Sequence, residues 1–450
     1  MKRILLTVVA TAVLPLCAGA QTVEGTLNSY DRNEPFGWAV CDRTSTPSSY
    51  VPYSLTGGGT GSKIVLKSNG TDQLSEIQSA LCNYSVIVLD GSEGDFLIGA
   101  GGINLNSTRS RNKTIVGING ATLRQMNEVD RFRSYLDGRF ASETRKDKAG
   151  YVQSRNISIP QTSSWYVREG DELYVKGYMI DYCYEVLGIR DTETLLSEPY
   201  RNWGVLRINS SEERGTGCNI IIRNITFAGP GSLDLSGLDA LCLNGCHNIW
   251  VDHCHFQDGL DGNLDIIKTS ERNSTCITVS WCTFGYTEKS YNHRFSCLMS
   301  TKDNGADMFV TFANCIWEGG IYTRTPMGGG RIHQINCLFD APGSALRIQN
   351  TGCNPELPYW IDHCYFAAGR GKNESVSRGY VCYQNGSSGT YYYQCTGNYA
   401  ANGEEAASNA STQVPYEYRD WLIPAAKVPS VLTSFNGAGP TLTDPLKIGR

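Results

Sequence analysis

Asp258, Asp261 and Asp265 stand beside Phe256, Leu260, Leu264 and Ile266 in HNIWVDHCHFQDGLDGNLDI, residues 247–266. An unpaired carboxylate among apolar neighbours is unfavourable, so these acids require a turn, a cation or a chemical task. Asp-Gly pairs at 258 and 261 allow a plain turn explanation, which suits Asp258 and is weaker for Asp265 inside NLDII. If the chain winds in coils of about 22 residues, Asp239 in GLDALCL lies one turn below Asp261, with Asp265 further along the same coil. Three carboxylates then share one outer face. Held close without a cation they would repel one another, and at least one would keep its proton. Hard oxygen donors at high charge density, with no His or Cys required, suit Ca²⁺ better than zinc or copper.

The coil itself is written in a repeat. DHCHF at 252, SWCTF at 280, ANCIW at 313, INCLF at 335 and DHCYF at 362 share a cysteine followed two places later by an aromatic. RNITF at 223 fits with Ile225 in the cysteine's place, and the cysteines are 28, 33, 22 and 27 residues apart. Each unit opens on a short β-rich run and closes on Gly, Asn, Asp or Pro. Constant cores with variable insertions describe a solenoid whose coils stack while loops project. The period suits three short strands per coil and predicts an all-β, right-handed parallel β-helix. Stacked cysteines would lie about 4.8 Å apart. Their parallel side chains favour buried free thiols over disulfides. Zinc at His253-Cys254-His255 is disfavoured, because strand alternation sends the histidines opposite to the cysteine.

Composition agrees. The chain has 450 residues, 48 of them Gly and only 18% charged, with no long stretch of helical period. The start MKRILLTVVATAVLPLCAGAQ joins two basic residues to a short apolar run and a small-residue site ahead of Gln21. Residues 1–20 read as a signal peptide and 21–450 as one exported domain, with lipidation at Cys17 as the rival. Without Lys2 and Arg3 the formal charge moves from −5 to −7, which excludes a generally basic, nucleic-acid-binding surface. Sixteen cysteines then remain, an even number that an exported chain is able to pair.

Taken in order, NIWVDHCHF, DGNLDI, ITVSWCTF, FVTFANCIW and TRTPMGGGRIH resemble the pectate lyase and pectin lyase family of right-handed β-helix enzymes. GWAV, LTGGGTGSKIVLKS, VIVLDG and KTIVGINGATL look like that family's opening strands, and VPYEYRDWLIPAAKVPSVLTSFNGAGP is similar to its closing segment. The likeness runs from about Phe36 to about Pro440. It implies that Asp239, Asp261 and Asp265 bind Ca²⁺ and, since pectin lyases lack these acids, that the substrate is unesterified polygalacturonate. Arg324 in TRTP matches the base that removes the C5 proton in β-elimination. Lys289 in GYTEKS is matched to the lysine that holds the substrate carboxylate, with Arg294 in NHRF as the alternative. The family's second arginine is replaced by MGGG, and Arg331, its late counterpart, is a weaker candidate for substrate binding.

Arginine is an unusual base because guanidinium normally stays charged. An adjacent divalent cation and ammonium would disfavour its charged form, so activity is expected to rise at alkaline pH. A β-helical polygalacturonase working through carboxylates and a non-catalytic uronan-binding solenoid are the competing readings. Trp281, Tyr286, Tyr291 and Tyr322 are read first as packing residues, with a sugar groove as the alternative. His333 and the Asp-His pairs at 252 and 362 are read as structural.

Overall fold

The computed structural model describes residues 27–45, 49–106, 109–142, 182–197, 199–210, 217–233, 237–290, 293–300, 307–322, 324–340, 346–348, 358–367, 376–378, 381–383, 392–401, 403 and 407–449. The expected leader, with Cys17, and Tyr291 lie outside these residues. One coil runs through His247–Asp252, His255–Gln257 and Leu264–Ile267, and the next begins at Thr275–Ser280. Each strand bonds to its counterpart one coil away, which builds one ten-stranded and two nine-stranded sheets. Among the described residues, every strand pairing is parallel except Val376–Arg378 against Val381–Tyr383. The architecture is the expected right-handed parallel β-helix.

The cysteine repeat makes one corner of each coil. Asn224, His253, Trp281, Asn314, Asn336 and His363 take left-handed φ values between 50° and 59°. Asn adopts this region more readily than most residues because its short polar side chain bonds locally. The bend turns the next residue into the core. The thiols of Cys254, Cys282, Cys315, Cys337 and Cys364 each donate to the carbonyl two residues back, at 3.2–3.5 Å. All five are fully buried, and every described cysteine is a free thiol. Each of these carbonyls also accepts a backbone N–H from the neighbouring coil, so the cysteine serves as a small apolar residue whose thiol adds a second donor there. At the rejected zinc motif, His253 bonds Asp252 and His255 bonds Thr283, so each ring is engaged elsewhere.

Two residues on, the aromatics form a column. Phe227, Phe256, Phe284, Trp317, Phe339 and Phe366 stack with centroids 4.5–5.4 Å apart and interplanar angles of 9–12°. One coil's rise sets that spacing, so identical positions are forced into offset stacks.

The helix Leu74–Asn83 covers the first coils with Ile77, Ala80 and Leu81. Gly37–Val40, expected as a strand, is a 3-10 turn. Its amides at Trp38 and Ala39 bond to the Thr311 and Thr278 hydroxyls, so hydroxyls on the sheet's outer face replace a ladder partner. The buried Arg223 pairs with Asp252 at 2.9 Å and donates to Asn33 Oδ1 and the Pro445 and Lys447 carbonyls. One guanidinium thus sews both ends of the chain to a middle coil. Among the described residues, no helix is long and apolar enough to cross a membrane.

Phe284→Ala opens a void in the middle of the aromatic column. It should lower unfolding stability by about 3–5 kcal/mol. Urea denaturation checks this, and a loss under about 1 kcal/mol would mean that the column does not bear on stability.

Candidate active site

One nine-stranded sheet carries the acids. Leu206–Asn209, Leu241–Asn244, Leu264–Ile267, Cys297–Ser300 and Met327–Gly328 are successive rungs of it. Leu241 pairs with Leu264 and Cys242 with Asp265, a step of 23 residues rather than 22. Asp239 therefore sits opposite Gly262 instead of Asp261. The one-residue difference tightens the site. A Cβ on Gly262 would lie 2.6 Å from Asp239 Oδ1 and 3.4 Å from Asp265 Oδ1, so two carboxylate oxygens close over a position that only glycine leaves open.

Asp239 and Asp265 are buried and Asp261 is partly exposed. Burial, and then the charges of Asp265 and Asp261, push Asp239 well above the carboxylate range. Burial pushes Asp265 up to about 7, against the pull of Arg324 and with the push of Asp261. Burial would also raise Asp261, but the hydrogen bond and charge of His293, with Arg324 behind them, hold it below its ordinary value. The His293 Nε2 to Asp261 Oδ1 distance is 2.7 Å. Leu298 N donates to Asp265 Oδ1 at 3.1 Å, and the Cys242 thiol donates to Asp239 Oδ2 at 2.9 Å. Asp239 Oδ1 is buried with no hydrogen-bond donor among the described residues.

These atoms test the fit of a hard divalent cation. An oxygen-only donor set, a buried carboxylate oxygen without a donor and the space above Gly262 all suit Ca²⁺. Burial and the neighbouring Asp239 raise Cys242 far above the usual thiol range, so it stays protonated and supplies no soft ligand. Among the described residues, no three His, Cys, Asp or Glu side chains are drawn together tightly enough to hold an ion alone. The remaining oxygens would come from substrate or water.

Arg324 leads into the rung Met327–Gly328. Its backbone is left-handed at φ 64°, uncommon for a residue other than glycine. Its carbonyl accepts from Cys297 N at 2.7 Å, and its guanidinium lies 4.7 Å from the Phe295 ring centre. Arg324 Nε and Nη1 are shielded without an acceptor among the described residues, while its charge acts on all three aspartates. A cation beside carboxylates, with donors still to spend, is suited to a further anion.

The other expected cations are placed differently. Lys289 Nζ is 2.6 Å from Glu128 Oε1. Arg294 donates twice to the Ser290 carbonyl and lies 5.7 Å from the Tyr322 ring centre. Tyr322 N in turn donates to the Arg294 carbonyl, which ties Arg294 to the segment that carries Arg324. Arg331 opens a strand of the ten-stranded sheet and packs 4.7 Å from the Phe309 ring centre. Burial lowers it to about 10, and Asp307 is the carboxylate acting on it. Arg331 is thus not among the residues gathered at the acids.

Asp258 is a turn residue, at φ 57°, and its carboxylate holds Thr287 and Ser290. Trp281 is buried against His253, and Tyr286 donates to the Phe295 carbonyl, so both serve packing. His333 bridges Tyr416 and Asp362 in the interior. Sequence reasoning missed His293, Cys242 and Gly262. His293 was adjacent to a named candidate in NHRF, but its partner became visible only once the coils were registered.

Residues 208–440 match the family model described as pectate lyase. The chain belongs to the pectate lyase family. It is 32% identical over 136 residues to pectate lyase plyB of Emericella nidulans, covering 27% of this chain and 37% of that protein. It is 38% identical over 108 residues to a pectate trisaccharide-lyase of Thermotoga maritima, covering 20% of this chain and 28% of that protein. The matched stretches thus span about a third of these relatives' lengths. The cedar-pollen allergen jun a 1 shares the fold, with a TM-score of 0.51, 16% identity, and coverage of 86% of this chain and 91% of that one.

A carboxyl raised to about 7 when folded binds a proton that the unfolded chain releases near 3.8. Its contribution to stability is complete below the lower value and is lost as pH rises through the upper one. The metal-free protein should therefore lose thermal stability between about pH 4 and pH 7. Asp265→Asn should flatten that decline, as measured by melting temperature against pH. An Asp265→Asn profile parallel to the unmodified one would show that the carboxylates do not interact as described.

Proposed function

We propose that this chain is a secreted, calcium-dependent pectate lyase that cleaves unesterified polygalacturonate by β-elimination to 4,5-unsaturated oligogalacturonides. The observation that carries this reading is the convergence of Asp239, Asp261 and Asp265 on one face with Arg324 beside them. Asp239, Asp261 and Asp265 would hold the ion. Bound Ca²⁺ would supply positive charge that draws the substrate carboxylate in and offsets charge developing next to it. Retention of all three acids supports an unesterified substrate, because an ester presents no carboxylate to bridge. The leader sequence supports export, and residues 21–450 are proposed to act as one domain.

The bond-breaking step needs a base at C5 of the uronate. The base takes that proton, the C–H electrons form the C4=C5 double bond, and the bond from C4 to the glycosidic oxygen breaks with its electron pair going to that oxygen, which takes a proton from water. Arg324 is assigned this role. Its left-handed backbone and the Phe295 ring hold the guanidinium at one place, which limits the reorganisation the step requires.

Arg294 is a better candidate than Lys289 to hold the reacting uronate carboxylate. The Lys289 ammonium already faces Glu128, whereas Arg294 is tethered through a neutral carbonyl and keeps its charge for an incoming anion. No role in binding is assigned to Arg331.

Polygalacturonate incubated with and without calcium, followed by ultraviolet absorbance of the unsaturated product, tests the reading. New reducing ends without absorbance would identify hydrolysis, and binding without cleavage a passive uronan-binding solenoid. Arg324→Ala should lower kcat by about 10²–10⁴ with an unchanged unfolding curve; near-normal turnover would remove it as the base. Asp265→Asn should move the midpoint of a calcium titration upward by about tenfold or more. An unshifted midpoint would strike Asp265 from the ligands.

A further inference from the structure

The face that carries the acids also carries Arg207, a cation that this chemistry does not use. Arg207 pairs in register with Cys242, and Cys242 with Asp265. Arg207 therefore stands two rungs below Asp265, roughly 10 Å along the sheet. Its neighbours Leu206 and Ile208 fill the core, so strand alternation turns Arg207 outward on the same face as Asp265. Arg207 packs together with Gly204, Leu238, Asp239 and Cys242, so it adjoins the acidic site.

Its partners are the informative part. Arg207 Nε is shielded from solvent without a hydrogen-bond partner among the described residues. A donor left in that condition is unfavourable unless an acceptor arrives. Arg223, Arg294, Arg324 and Arg331 each have a carbonyl, carboxylate or aromatic ring against the guanidinium. A polyanion that approaches three carboxylates also needs positive charge near them, beyond the reacting unit.

We propose that Arg207 binds the carboxylate of a second galacturonate unit, forming an outer subsite two rungs from the acidic centre. The assignment rests on the pectate lyase reading. Guanidinium is suited to the task, because its planar fork matches a carboxylate with two parallel hydrogen bonds. The subsite holds substrate and takes no part in proton transfer, so its effect belongs in KM.

Arg207→Gln and Arg207→Lys are compared with the unmodified protein on polygalacturonate, with calcium, across a range of salt concentrations. Arg207→Gln should raise KM by about tenfold, the loss of one charge-assisted contact, and leave kcat within about twofold. Its KM should also depend less steeply on salt, because one screened ion pair is gone. Arg207→Lys should recover part of the loss, which a merely structural arginine would not predict. An unchanged KM with an unchanged salt slope overturns the proposal, as does a fall in kcat without a change in KM. If the unmodified protein forms no unsaturated product, the lyase reading fails by itself. Oligogalacturonate binding to the Arg324→Ala protein, with and without Arg207→Gln, then decides the subsite separately: weaker binding supports it and equal binding refutes it.

Discussion

Parallel stacking imposes one constraint that everything else in this molecule obeys: a residue at a given position of one coil lies directly over its counterpart in the next, facing the same way. In the interior this is favourable without further provision. Phenyl rings one rung apart meet as offset stacks, and each corner thiol adds a second hydrogen bond to a carbonyl that already accepts from the neighbouring coil. On the outer face the same rule is hazardous. Like charges a rung or less apart repel, and Asp239 and Asp265 do so in a place largely stripped of water. The solenoid can hold that arrangement because its rigidity comes from the ladders and the core, not from the face where the acids sit.

The charged groups divide into two kinds according to whether they are finished. Arg223 is finished: its donors meet Asp252, Asn33 and two backbone carbonyls, and nothing is left for a ligand. His333 between Tyr416 and Asp362 is the same. These groups fasten segments distant in sequence. The groups on the acid-bearing face are not finished. Asp239 Oδ1 lacks a donor, and Arg324 and Arg207 keep shielded nitrogens without acceptors. On this face the unpaired atoms belong to a carboxylate and to guanidinium groups, and it is their charge that suits the face to a ligand.

Glycine at 262 shows how finely the step between coils matters. A coil of 23 residues sets Asp239 against a residue without a side chain, and the two carboxylate oxygens approach across it. A step of 22 would have set Asp239 against Asp261, carboxylate on carboxylate. One inserted residue thus changes a direct clash into a cradle, and His293 takes Asp261 from the side.

The β-helix, the buried thiols and the column of aromatics were legible in the chain, because a period in sequence becomes a stack in space whenever coils lie parallel. The acids at 239, 261 and 265 were legible for the same reason, together with the family resemblance around Arg324. What the linear order does not contain is the outcome of loops that leave the period. His293 reaches Asp261 and Glu128 engages Lys289 because non-repeating segments fold back over the face. Arg331, near Arg324 in sequence, was carried to another sheet by the corner between them. Repetition determined which residues share a rung, whereas the packing of irregular connections decided which charges are neutralised and which remain available.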